Sequence, residues 1–333
     1  MICLGIESTA HTFGVGIIDA KGKVYANERS VFVTKKGGMI PAEVAEFHVE
    51  HFSDVIVQAL EKAGMTMKNI DVIAYSQSPG IGHCLRIGAM AARTLAIHHN
   101  KPLVNVNHCI AHLEIGNILT ESTDPVLLYA SGANTQIIAY DGGKYRIFGE
   151  TLDIGIGNFI DSFARHIGLG FPGGPKVYEL SLKAKKYVEL PYCVKGMDIS
   201  LGGILTNLKH KFKLINEGKA DYTVEDLCHS LQETSFAMLL EVSERALAHC
   251  EKKELLLGGG VACNIRLQKM ARQMCEARGA KCFALEREFN VDNGAMIAWV
   301  GILMHGKGLQ IPIAKAGIEP YLRTDDIQVV WRE

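Results

Sequence analysis

The chain has 333 residues, 48% of them hydrophobic, and 35 Lys plus Arg against 36 Asp plus Glu, a formal net charge of −1. That length suits two modest lobes or one large domain. The apolar fraction is too high for disorder, and the charge balance excludes a polybasic nucleic-acid-binding tail while leaving room for a local basic patch.

In chain order, the opening segment reads strand, turn, strand: Ile2–Glu7, Gly14–Asp19 and a longer extended run over Lys23–Val33. A helix is predicted from Pro41 to about Lys62, with proline at its first turn and Gly64 just past its end, the favoured asymmetry. An apolar run of strand length, Ile70–Tyr75, is broken at Ser78-Pro79-Gly80. Helical patterns follow at Leu85–His98 and Cys109–Leu119, around the short strand Leu103–Val106.

Asp124-Pro125 marks a seam, after which the opening pattern recurs as strands at Val126–Ala130, Gln136–Tyr140 and near Tyr145–Thr151. Helices are then expected at about Asn158–His166, Lys176–Lys185 and Val224–His249. They are followed by strand Glu254–Leu257, helix Asn264–Arg278, strand Lys281–Leu285 and helix Asn293–His305. Two halves that each begin strand, polar turn, strand, strand and continue with helices predict an internally duplicated α/β protein.

Glycine is the compositional outlier, at 34 residues against nine prolines. Four turns concentrate it: Glu7 to Gly14, Ser131 to Thr135, Phe171 to Pro175, and Gly258 to Ala262. Hydroxyl and amide side chains beside glycine let backbone N–H groups approach a phosphate. Ordinary hairpin chemistry is the competing explanation for any one of them. None matches the Walker pattern or G-x-G-x-x-G.

His108 and His112 are four apart, so on a helix they stack on one face, within reach of one metal. The H-E-x-x-H peptidase pattern fails, because Cys109 occupies the place of its general base. Spacing alone leaves open a simple pair of helix histidines. Asp292 reads equally as a cap of the last apolar helix, and Tyr129 as a half-buried strand residue. His48 and His51 read as surface or packing residues, and His98-His99 as cations suited to a helix C-terminus. The Lys183/Lys185/Lys186 and Lys209/Lys211/Lys213 clusters are solvated faces or the local basic patches for a polyanion. Nine scattered cysteines without a C-x-x-C pair read as free thiols. The N-terminus has no cationic leader and the longest late apolar stretch, Gly294–Met304, is short of the ~20 residues that span a bilayer. A cytoplasmic protein without membrane contact is expected.

With these residues in view, the chain resembles the tRNA threonylcarbamoyladenosine synthesis family, the TsaD/OSGEP-type transferase that is the catalytic subunit of the KEOPS complex. The likeness runs from GIESTAHTFGVGI to YLRTDDIQVVW. It is most specific in SQSPGIGHCLRIG, VNHCIAHLEIG, LLYASGANTQIIAY, FGETLDIGIGN, KGMDIS, LGGGVACNIRL and DNGAMIAW. The tyrosine of LLYASGANTQ is similar to the archaeal and eukaryotic branch.

The resemblance implies a duplicated actin/Hsp70/sugar-kinase-like (ASKHA) fold with a nucleotide cleft between two lobes. The lobes would be residues 1–123 and 124–306, the last helix, about 293–305, packing back near the cleft, with a tail over 307–333. It implies His108, His112, Tyr129 and Asp292 as metal ligands, for Fe or Zn ahead of Mg. It implies Tyr129, Ala130, Ser131, Gly132, Ala133, Asp161, Gly174 and Asn264 as contacts of ATP, AMP or threonylcarbamoyl-adenylate. Tyr178 stands where the family carries a ribose-contacting Glu, with Glu179 beside it, so that role is open between the two. Ala133 and Ser8 replace glycines of the family pattern, and LGGILT replaces FSGLLT near Leu201. The activity implied is transfer of a threonylcarbamoyl group to N6 of the adenosine 3′ of the anticodon. The partners implied are tRNA, a small dimerising subunit, a Bud-type kinase and its regulator. An ASKHA-type ATPase or phosphotransferase, and a nucleotide-gated scaffold without catalysis, are the competing readings.

Overall fold

The computed structural model describes residues 1–34 and 39–332. The first half contains β1 (Ile2–Glu7), β2 (Thr12–Asp19), β3 (Val24–Val31), α1 (Pro41–Ala63), β4 (Val72–Ser78), α2 (Gly82–His99), β5 (Leu103–Asn107) and α3 (His108–Leu119). The second contains β6 (Val126–Ala130), β7 (Thr135–Asp141), β8 (Lys144–Glu150), α4 (Ile156–His166), α5 (Gly174–Ser181), the small hairpin β9 (Val194–Lys195) and β10 (Asp198–Ile199), α6 (Gly202–Asn216) and α7 (Val224–His249). It ends with β11 (Glu254–Gly258), α8 (Ile265–Ala277), β12 (Lys281–Ala284), α9 (Arg287–Asn290) and α10 (Gly294–Gly306).

The duplication is in the sheets. The first is ordered β3-β2-β1-β4-β5 and the second, read in the same sense, β8-β7-β6-β11-β12. In each, the first three strands pair antiparallel and the last two are added parallel. Parallel addition requires a helical crossover, which α1 and α2 supply in one half and α7 and α8 in the other.

Side-chain capping starts four of the described helices. Thr223 and Asp226 form a capping box on α7, and Asn107, Asn264 and Asn293 accept first-turn N–H groups of α3, α8 and α10. Gly64 and Asn100 end α1 and α2 in the left-handed conformation.

Two expectations need correction. The helix expected over Lys176–Lys185 stops at Ser181, because the Asp226 carboxylate accepts the Lys185 and Lys186 N–H groups at 2.7 and 3.0 Å. Helix α6, built through the Lys209/Lys211/Lys213 cluster, has no counterpart among the expected elements. The last helix, α10, lies across the first sheet, in one apolar cluster with Cys3, Val72, Ala74 and Val104.

Helix α3 mirrors α10. It follows β5 yet packs Cys109, Ile110 and Leu113 against Leu127, Tyr129 and Leu256 of the second sheet. Each half thus sends its closing helix into the other half's territory, and α3 and α10 meet at the centre. Among the described residues no helix is long and apolar enough to cross a membrane.

Candidate metal and nucleotide site

The exchange of α3 and α10 brings four separated side chains to one point. His108 and His112 lie on the first turns of α3, Tyr129 near the end of β6, and Asp292 two residues before α10. One ligand atom each of His108, His112 and Asp292 fits within 4.8 Å of the others. His108 Nε2 lies 2.8 Å from the Tyr129 hydroxyl and 3.4 Å from Asp292 Oδ1, and His112 Nε2 is also 3.4 Å from that oxygen. The His112 and Tyr129 rings are tilted together at 4.8 Å between centroids. The two histidines and the tyrosine are buried.

Burial and charge pull these groups apart. Burial disfavours a charged His108, but the Glu7 carboxylate, followed by Tyr129 and Asp292, outweighs it and holds the ring well above the ordinary histidine value. His112 is lowered, chiefly by burial, with the nearby Asp292 carboxylate opposing. Burial would raise Asp292, yet the two imidazoles hold it well below the ordinary carboxylate range. The Tyr129 phenol is pushed up by burial, with His108 opposing.

The cluster fits a cation. Neither ring nitrogen of His112 has a hydrogen-bond partner among the described residues. An imidazole buried with both nitrogens unpaired needs an explanation, and a cation facing its Nε2 supplies one. Two imidazoles and a carboxylate within 4.8 Å of one another, with the Tyr129 phenol oxygen 2.8 Å from His108 Nε2, are a ligand set for a transition metal or zinc.

Two of the glycine turns lie beside the helix of the two histidines: Asn134 Nδ2 is 4.0 Å from Cys109 Sγ, and Gly258 packs beside the His112 side chain. Gly132 and Ala133 are exposed, while Ser131 and Asn134 are half-buried. The turn is closed by Ser131 N–H to the Asn134 carbonyl at 3.0 Å and seated on α4 by Gly157 and Asn158 N–H bonds to the Ser131 and Gly132 carbonyls, both 2.9 Å. Gly259, at φ 91°, packs onto the Ala130 carbonyl, where any side chain would collide. Ala130 itself is buried on β6. Asp161 Oδ1 accepts the Gly173 N–H at 2.7 Å, and burial pushes this carboxyl up despite that bond. Gly174 has open space where a Cβ would project. The third turn also meets the first, with Phe171 edge-on to His11 at 5.9 Å.

Two nucleotide candidates behave differently. The Asn264 side chain is engaged within the protein, accepting the Arg266 and Leu267 N–H groups and donating to Gln232 Oε1 at 2.7 Å. Tyr178 is half-buried and Glu179 exposed on α5; neighbours on a helix point about 100° apart, so only one can face the cleft.

Sequence reasoning missed Glu7 and Thr9. Glu7 is fully buried at the end of β1, with Oε2 3.0 Å from His108 Nδ1. A carboxylate closing an otherwise apolar buried strand was the available sign.

Known proteins resemble the chain along its whole length. The protein of Archaeoglobus fulgidus called tRNA N6-adenosine threonylcarbamoyltransferase is 50% identical, over 99% of this chain and 100% of its own. That of Thermococcus kodakarensis with the same name is 53% identical over the same shares. A Methanocaldococcus jannaschii protein called a probable bifunctional tRNA threonylcarbamoyladenosine biosynthesis protein is 49% identical, and this chain spans 60% of it. Among solved structures, Thermococcus kodakarensis HypF superposes with a TM-score of 0.64 at 16% identity, over 92% of this chain and 48% of that one, a likeness of fold. The family model of TsaD, tRNA N6-adenosine threonylcarbamoyltransferase, matches residues 23–299. The chain belongs to that family.

Proposed function

We propose that this protein transfers the threonylcarbamoyl group of threonylcarbamoyl-adenylate to N6 of the adenosine 3′ of the anticodon in tRNAs reading ANN codons. The observation that supports the reading is the convergence of His108, His112, Tyr129 and Asp292, in a chain of this family.

The ligand set favours Fe or Zn over Mg, since two donors are imidazole nitrogens. Bound there, such an ion supplies Lewis acidity toward phosphate and carbamoyl oxygens. The chain does the rest. Backbone N–H groups of residues 132–134 and 260–261 face the adenylate phosphate, and Asp161, Gly174 and one of Tyr178 and Glu179 line the nucleoside side. The tRNA amine attacks the carbamoyl carbon, the carbamoyl–phosphate bond breaks, AMP leaves with the electron pair and the amine loses a proton. Turn amides stabilise the charge that develops on oxygen.

With a charge near zero, the chain meets tRNA together with KEOPS-type subunits, a small dimerising protein, a Bud-type kinase and the kinase's regulator. The test is transfer of radiolabelled threonine from pre-formed adenylate to tRNA. A His108→Ala/His112→Ala double variant is expected to lose transfer, and undiminished transfer would remove the metal's role. ATP turnover without tRNA or adenylate would favour an ATPase of this fold instead.

A further inference from the structure

We infer that Glu7 is the positioning residue of His108, accepting a hydrogen bond from the ring's Nδ1–H so that the Nε2 lone pair points into the proposed metal cluster. The inference rests on the proposed metal site. A metal-bound histidine characteristically donates its second ring N–H to a carboxylate, which fixes tautomer and orientation. The contact of 3.0 Å between Glu7 Oε2 and His108 Nδ1 supplies that partner. The opposite nitrogen faces Tyr129 and Asp292.

Glu7 is itself fixed. Its Oε1 accepts the Thr9 N–H at 2.7 Å and the Thr9 hydroxyl. Every acceptor therefore has a set direction, with Oε1 toward the first glycine-rich turn and Oε2 toward the ring. His112 has no equivalent, since its Nδ1 lacks a partner among the described residues. Of the two imidazoles, only His108 is oriented from behind, and the first turn of the chain does the orienting.

Glu7→Gln is a sharp probe. The Thr9 backbone N–H cannot turn away, so the glutamine oxygen must face it and the NH₂ must face His108 Nδ1. An NH₂ there favours the tautomer protonated at Nε2, the wrong one for a ligand. Zinc added to metal-free, purified protein in competition with a chromophoric chelator should bind Glu7→Gln about 10–100-fold more weakly than wild type. In the zinc-loaded wild type, ¹⁵N spectra should show His108 protonated at Nδ1 and metal-bound at Nε2, a signature that a merely structural role would not set. Thr9→Val, which keeps the backbone donor and loses the hydroxyl, should weaken zinc about fivefold, the effect of one hydrogen bond. It decides the matter should Glu7→Gln fail to fold. Wild-type zinc affinity in either folded variant overturns the inference alone. A wild-type chain that takes up no zinc overturns the metal reading and this inference with it.

Discussion

Gly16 of β2 and Gly294 at the start of α10 touch main chain to main chain, and a methyl on either would overlap the backbone of the other segment. Gly5 on β1 faces Gly294 and Ala298 in the same way. This seam lets α10 lie directly on the first sheet, and it sets where Asp292, two residues upstream, meets His108 and His112. Gly16→Ala is expected to cost about 3 kcal/mol, the upper range for forcing atoms into a packed core, because only backbone is available to give way. Gly203→Ala in α6, with open space around its Cβ, should be neutral or stabilising by about 0.5 kcal/mol. Urea midpoints of the two variants decide it, and equal midpoints would show that the seam is not tight.

The 131–134 turn depends on a second close approach. Gly259 combines φ 91° with a virtual Cβ against the Ala130 carbonyl, whereas Gly260 has nothing near it. Gly259→Ala is expected to weaken a fluorescent adenine nucleotide at least tenfold and to destabilise by about 2 kcal/mol or more. Gly260→Ala should do neither. Equal nucleotide affinity in both would separate this strand-to-helix turn from the nucleotide wall.

The tail of the chain grips α3, the helix of His108 and His112. Glu114 on α3, two residues after His112, is buried and accepts the Trp331 indole N–H at 2.8 Å together with the Tyr145 hydroxyl, while Arg332 stacks over Tyr140 and Tyr145. Upstream, the same tail binds the first half through the Ile311 N–H to the Leu103 carbonyl and the Tyr75 hydroxyl to the Gly317 carbonyl, both 2.8 Å. Trp331→Phe leaves a buried carboxylate one donor short and should cost about 1–2 kcal/mol. In a cycle with Glu114→Gln, the coupling should exceed about 0.5 kcal/mol; additive losses would mean the indole acts by packing alone.

How much of this was legible can be judged from particular residues. The spacing of His108 and His112, the Thr223 start of α7 and the duplicated strand pattern are local, and local chemistry expresses them. The convergence of Tyr129 and Asp292 on that pair is not local, since it depends on α10 crossing to the first sheet through Gly5, Gly16 and Gly294. Those glycines sit in strands and at a helix start, so a search for glycine-rich turns passed over them. Helix α6 was missed because it begins Gly202-Gly203 without a capping side chain and buries only Ile204 and Leu208, too few to mark a helical face among the lysines. Of the nucleotide candidates in the 131–133 turn, Gly132 and Ala133 are exposed and Ser131 half-buried, whereas Asn264, a contact by family resemblance, is a helix cap in space.

His48 yields the last prediction. On α1 it is completely buried, edge-on to Phe13 at 5.5 Å, and neither ring nitrogen has a hydrogen-bond partner among the described residues. Burial lowers it from 6.5 to about 4, with the neighbouring His11 and His51 rings acting in the same direction. The folded state therefore keeps the ring neutral. Above pH 6.5 neither state binds the proton and His48 contributes nothing to the pH dependence. As the pH falls from 6.5 toward 4, the unfolded chain takes the proton and the native one does not, so stability is lost over that window. The loss approaches about 3 kcal/mol at its lower end. His48→Leu should remove this slope while leaving every other titrating group in place. The difference between the two proteins' urea-derived folding free energies should therefore be flat above pH 6.5 and move steadily in favour of the leucine variant below it. Parallel curves down to pH 4 would mean that the ring reaches solvent or a partner when it is protonated.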